Sequence, residues 1–140
     1  MANPTLYTIS GTSPGAPGTT VLGNQILGFG RYTEILVQAS LLGATGGALD
    51  VYLQWTPDGA NWYDYVHFAQ LAAAAAAVKY VCSSRVSPTT APIVVGTNLT
   101  PALAVATCVG GPFGMGLRAV CVAGAGTTVG AALSIAIFAK

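Results

Sequence analysis

From Tyr32 onward, apolar and polar residues alternate with a period of two. Ile35, Val37 and Ala39 interleave with Glu34, Leu36 and Gln38, which predicts a strand with two unlike faces. Glycines at 43, 46 and 47 then turn the chain. In the next stretch Leu49, Val51, Leu53 and Trp55 share one face, while Asp50, Tyr52 and Gln54 share the other. Thr56-Pro57-Asp58-Gly59 predicts a tight turn, with proline pre-set for its second position and glycine free to take positive φ. Residues 62–68 return as the partner strand. If Trp55 opposes Trp62, one face pairs Leu53 with Asp64, Val51 with Val66 and Leu49 with Phe68. The other pairs Tyr52 with Tyr65, Gln54 with Tyr63 and Asp50 with His67. Apolar meets apolar in this register except at Asp64, and a six-residue loop leaves the register open.

The rest of the chain gives shorter elements. The six-alanine run from Ala72 to Ala77 favours one or two turns of helix, because alanine is the best helix former and a poor strand former. Residues 78–86, 93–95 and 103–109 read as strands, separated by Pro88, Pro92 and Pro101. Residues 117–123 and 128–138 read as a final strand pair around Gly124-Ala125-Gly126-Thr127-Thr128. Residues 1–30 hold Pro4, Pro14 and Pro17 and six glycines, which predicts an extended arm, strand-like around 6–9 and 21–27. The fold class is all-β: an antiparallel β-sandwich over 31–140, jelly-roll-like in topology, with an N-terminal arm over 1–30 and at most one short helix.

Charge changes the picture. Only nine of the 140 side chains ionise fully, 6% of the chain, where about 25% is usual. A monomer of this size exposes roughly 6,700 Å², so each charge serves about 740 Å², close to what one partner buries in a standard interface. Such a surface predicts a protein largely covered by partners. A net charge of +1 without a basic cluster excludes a phosphate-tracking nucleic-acid binder. Disorder is excluded by 53% hydrophobic residues and a mean hydropathy of +0.63. Met1 to Thr5 shows neither a basic nor an apolar region of a signal peptide. Residues 119–139 carry no charge, but the Gly/Thr turn within them favours two strands over a membrane helix. In the last strand Gly130, Ala132, Ser134, Ala136 and Phe138 alternate with the apolar set, and so small and uncharged an outer face suggests burial against another subunit.

Catalytic chemistry is sparse, and no enzyme is expected. His67 is the single histidine, so any nucleophile–histidine–acid arrangement must be built on it, with Asp50 as the acid across the strand pair. Glu34, Asp50, Asp58 and Asp64 show no telling spacing for paired-carboxylate work. Cys82, Cys108 and Cys121 are widely spaced in apolar runs and read as buried free thiols, so neither a metal site nor a cofactor is expected. Half of the twelve aromatic residues fall within 17 positions, 52 to 68. Sheet packing explains them first. Tyr52, Trp55, Trp62, Tyr63 and Tyr65 are also the candidate interface residues, since Tyr and Trp dominate binding hot spots. A sugar-binding platform on Tyr52, Tyr63 and Tyr65 is the alternative. Asp64 and Arg118 are the candidate buried ion pair, because an unpaired buried charge is costly.

The run Leu49-Asp50-Val51-Tyr52-Leu53-Gln54, through Pro57-Asp58-Gly59 to Asn61-Trp62-Tyr63-Asp64 and His67-Phe68, resembles capsid decoration (cement) proteins of tailed bacteriophages. Leu117-Arg118-Ala119-Val120 and the glycine-rich turn after it add to the resemblance. It implies a homotrimeric sandwich on the outer capsid surface, assembled in the host cytoplasm. Its partners would be the major capsid protein and its own copies, and it would have no catalytic residues. Another virion part, at the head–tail junction or tail surface, and a carbohydrate-binding module are the alternatives.

Overall fold

Among the described residues, nine strands carry out the period-two pattern. In the computed structural model, residues 5–71, 76–83, 103–110 and 113–140 are described, with the backbone alone for 76–83. The strands are β1 (Thr5–Thr12), β2 (Gly18–Leu27), β3 (Glu34–Leu42), β4 (Leu49–Thr56), β5 (Tyr63–His67), β6 (Ala76–Ser83), β7 (Thr107–Cys108), β8 (Gly116–Ala123) and β9 (Ala132–Ala139). One 3-10 turn, Phe29–Arg31, links β2 to β3. A four-stranded sheet runs β1-β9-β3-β6 and a five-stranded sheet runs β2-β8-β4-β5-β7, with every named strand pair antiparallel. Apart from the two-residue β7, every connection changes sheet except the β4–β5 hairpin. This is the strand order of a jelly roll.

The sheets close on each other because alternate residues of each strand are apolar. Ile35, Val37, Ala39 and Leu41 of β3 and Leu133, Ile135, Ile137 and Ala139 of β9 face Leu49, Val51 and Leu53 of β4 and Leu117, Ala119, Cys121 and Ala123 of β8 in one core. The edge strands β1 and β2 add one deeply buried side chain each from their middles, Ile9 and Leu22. That sparse burial is why residues 1–30 look arm-like in the sequence. In the structure β1 and β2 are sheet members: β1 pairs along its length with β9, and β2 pairs with β8 on either side of an irregularity between Leu22 and Ile26. Gly23, at φ +61°, makes the close approach to β1: a Cβ there would stand 3.0 Å from the Ser10 carbonyl oxygen.

Three further expectations change. β8 and β9 do not pair with each other: β8 lies between β2 and β4, and β9 between β1 and β3. Both bury one face in the same core, so the turn between them carries the chain across the ~10 Å separating packed sheets. Ala76 and Ala77 belong to β6, opposite Leu41 and Ser40, because pairing with β3 outweighs alanine's helix propensity. Residues 72–75 and the strand expected at 93–95 lie outside the described residues. The hairpin register also differs. Trp55 pairs with Tyr63 and Gln54 with Asp64, then a bulge at Tyr65 shifts the register so that Leu53 pairs with Val66 and Tyr52 with His67. The extra residue lets Tyr65 and Val66 both enter the core while Asp64 moves to the outer face, which removes the Leu53–Asp64 mismatch. The turn at Thr56-Pro57-Asp58-Gly59 forms as expected. Asp58 Oδ1 accepts the backbone N–H groups of Ala60 and Asn61 at 2.9 and 2.7 Å, and Gly59 takes φ +80°.

Candidate functional site

The five-stranded sheet carries the polar centre on its outer face. Arg118, Gln54 and Asp64 fall in one register row across β8, β4 and β5. Two strand spacings, ~10 Å, separate the outer two. The expected Asp64–Arg118 ion pair is therefore not a direct contact. Gln54 stands between them, donating from Nε2 to Asp64 Oδ1 at 2.9 Å and accepting Arg118 Nε at 2.8 Å on Oε1. The Arg118 guanidinium also lies over the Trp62 ring, 4.3 Å from its centroid. Burial lowers the Arg118 pKa from its ordinary value, and the Asp64 charge opposes this.

The adjoining row holds a clamp. Asp64 Oδ2 accepts the Leu103 backbone N–H at 2.9 Å, and His67 Nδ1 lies 2.7 Å from the Leu103 carbonyl oxygen. Two side chains of β5 thus hold both backbone polar groups of one residue, as a neighbouring strand would. The Leu103 side chain is buried with Tyr52, Val109 and Val120 in a second small apolar cluster on this face. The His67 ring stacks on Tyr52 at 3.9 Å, and its Nε2 lies 3.2 Å from Asp50 Oδ1. With Nδ1 on a carbonyl and Nε2 on a carboxylate, both ring nitrogens are engaged by acceptors rather than by a nucleophile. Burial, then the charges of Asp50 and Asp64, push the Tyr52 phenol up to about 12. Among the described residues no group of three His, Cys, Asp or Glu side chains is placed to hold a metal ion. None of their helices is long and apolar enough to cross a membrane. Cys121 is buried, its thiol pushed up to about 12 chiefly by that burial, and Cys108 is half-buried.

The five candidate interface residues therefore divide. Tyr65 is enclosed in the core, edge-on to Phe113 at 5.6 Å, while Trp62 and Tyr52 are covered by their own chain. A sugar platform on Tyr52, Tyr63 and Tyr65 is not formed, since two of its three rings are buried. Trp55 and Tyr63 stay partly open, stacked at 5.0 Å.

Trp55 lines a cleft of about 520 Å³ with Gly30, Tyr32, Pro57, Phe113, Gly114 and Met115. Gly114, at φ +67°, lets the chain pass so close to β4 that a Cβ would stand 2.5 Å from the Thr56 carbonyl oxygen. Tyr32 is fixed on the other wall by a knot that no local sequence signal announces. Its hydroxyl lies 2.7 Å from that of Tyr7, and Arg31 donates to both at 2.9 and 3.1 Å, while Phe29 packs beside the two rings. Hydrogen bonds from Thr5 and Tyr7 lower the Tyr32 pKa. The strand ends at this cleft also carry Leu6, Leu27, Leu36, Met115 and Phe138, five of the eight exposed large apolar side chains of the described residues. This end of the sandwich thus combines exposed apolar side chains and an open aromatic cleft with the charges of Arg31, Asp58 and the Glu34–Lys140 pair.

No protein-family model matches the sequence, and no curated protein does. Solved structures with similar folds include VP2 of infectious bursal disease virus in its subviral particle, 16% identical with a TM-score of 0.41. The match covers 96% of this chain, which spans about a third (32%) of that VP2 chain. A chain of Broad Bean Stain Virus is 11% identical at a TM-score of 0.48, over 99% of this chain and 86% of its own. A glycoside hydrolase family protein from Mycobacterium thermorestibile is 14% identical at 0.35, over 95% of this chain and 76% of its own. Viral particle proteins and a hydrolase family both occur among these likenesses, and neither function transfers on them. The jelly-roll assignment rests on this chain's own strand order.

Proposed function

We propose that the protein is a structural virion component that binds the outer surface of a phage capsid and stabilises the shell by bridging capsomers. Its partners are the major capsid protein and its own copies, with the homotrimer that the sequence resemblance implies. The observation that carries this is the open cleft at one end of a charge-poor jelly roll, lined by Tyr32, Trp55, Phe113 and Met115. A surface with so few charges is suited to being covered, and many weak contacts repeated over a particle add up to a stable shell. Co-sedimentation with empty shells assembled from the phage's major capsid protein tests it. Saturable binding, lost in Met115→Lys and Trp55→Ala, is expected, together with a higher temperature of shell disruption. Absence of binding to such shells, with the wild-type protein folded, overturns it.

A further inference from the structure

Among the described residues, Arg31 is a cation that no carboxylate answers. Glu34 pairs with Lys140 at 3.0 Å, His67 meets Asp50, and Arg118 shares Gln54 with Asp64. Arg31 instead donates from Nη2 to two neutral oxygens, the hydroxyls of Tyr32 and Tyr7, and its guanidinium carbon stands 5.0 Å from the centre of the Tyr32 ring. The two phenols bond each other at 2.7 Å and their rings pack on Phe29, so the anchor is firm. Nη1 and Nε carry three of the five guanidinium N–H groups and have no acceptor among the described residues. The side chain is exposed, yet it is held in one place beside a ring that lines the cleft. A guanidinium fixed in this way loses little rotamer freedom when an anion arrives.

We infer that the cleft takes an extended peptide segment in which a carboxylate stands next to an apolar or proline side chain. The carboxylate meets Arg31, and the apolar side chain enters between Tyr32 and Trp55. On the virion reading above, on which this occupant rests, the major capsid protein supplies the segment. Charge sets the orientation. Asp58, next to the cleft residue Pro57, carries its negative charge with its oxygens taken up by Ala60 and Asn61, so the acid end of the segment lies on the Arg31 side. The lining favours a peptide over a sugar. Its only polar side-chain groups are the Tyr32 hydroxyl and the Trp55 indole N–H, and the Tyr32 oxygen is already shared by Tyr7 and Arg31. Sugar hydroxyls would go unpaired in such a cleft at a cost in free energy, whereas an apolar side chain asks for no partner. Where Gly30 and Gly114 line the cleft the backbone is bare, so main chain can approach main chain. A volume of about 520 Å³ is that of a ligand site.

Two blocked tripeptides test it, each of phenylalanine, proline and a third residue that is glutamate in one and glutamine in the other. They are titrated into isotope-labelled protein and followed by NMR. The glutamate peptide is expected to move the Trp55 indole signal and the Gly30 and Gly114 amide signals. It should bind about fivefold tighter than the glutamine peptide, the upper end for an ion pair open to solvent. That preference should shrink at about 1 M salt, where the screening length is ~3 Å. Arg31→Gln changes an exposed side chain and should bind both peptides alike, with its fold checked by circular dichroism. Tyr7→Phe removes one of the two anchors of Arg31 and should keep only part of the preference. Equal binding of the two peptides to wild type, a full preference kept in Arg31→Gln, or shifts confined to residues away from the cleft overturns the inference. Movement of the cleft signals by glucuronic acid, with none by either peptide, also overturns it, since the site then belongs to a sugar. The acid preference without shell binding by the wild type leaves the cleft assignment standing and overturns the virion reading; shell binding without the acid preference does the reverse.

Discussion

Gln54→Leu is the sharpest test of the polar centre. Leucine keeps most of the volume of a side chain that is fully buried, so little of the effect comes from a cavity. What is lost is the relay, the 2.9 Å bond to Asp64 and the 2.8 Å bond from Arg118. Asp64 is 1% exposed, and a buried carboxylate deprived of a partner costs about 2–3 kcal/mol. Its bond to the Leu103 N–H remains, which keeps the figure in that range. Arg118 is only half-buried and retains its place over Trp62, so water replaces much of the second bond and the further loss is about 0.5–1 kcal/mol. The expected destabilisation is about 3 kcal/mol, or roughly 10 °C in Tm for a chain of this size. Urea unfolding followed by tryptophan fluorescence measures it, at one protein concentration so that association does not enter. Arg118→Met should cost less than Gln54→Leu, because Asp64 then keeps Gln54. A loss under about 1 kcal/mol for Gln54→Leu, or a larger loss for Arg118→Met, would refute the relay and restore a direct Asp64–Arg118 pair.

Gly114→Ala is expected to cost more than about 2 kcal/mol, since it combines a left-handed φ with a clash against β4; chemical denaturation reads this, and a near-neutral result contradicts the close approach. Cys121 should resist a thiol reagent in the native protein and react on unfolding, while half-buried Cys108 reacts sooner, as mass spectrometry of labelled peptides would show. The hydrogen bonds from Asn61 and Ala60 hold Asp58 down to about 2. Its contribution to stability is therefore complete above its ordinary value near 4 and is lost as pH falls toward 2; Asp58→Ala should flatten that limb of the acid-unfolding curve. Ultraviolet titration should show the Tyr52 phenol ionising only near pH 12, and a Tyr52→Phe variant should lose that late step alone.

Much of the fold was legible because it follows from periodicity. The alternations at Ile35–Val37–Ala39 and Leu49–Val51–Leu53 survive as core faces, and the Pro57-Asp58-Gly59 turn forms where its residues place it. The charge count anticipated a neutral outer surface, which the outward side chains of β1, β9 and β3 display. The bulge at Tyr65 left one trace, the apolar-to-Asp64 mismatch in a regular hairpin, but its position depended on what the core needed to fill.

Sequence by itself determined which residues turn inward along each strand, because the pleat repeats every two residues whatever the strand pairs with. It also determined a low charge. Tertiary structure decided the rest. Strand order brought Arg118, Gln54 and Asp64 into one row across β8, β4 and β5, and Leu6, Phe138 and Leu36 into another across β1, β9 and β3. These residues lie up to 132 positions apart in the chain, and contact between them is set by sheet partners and register. No local pattern encodes a partner, so the relay, the apolar row and the cleft exist only once the two sheets have closed.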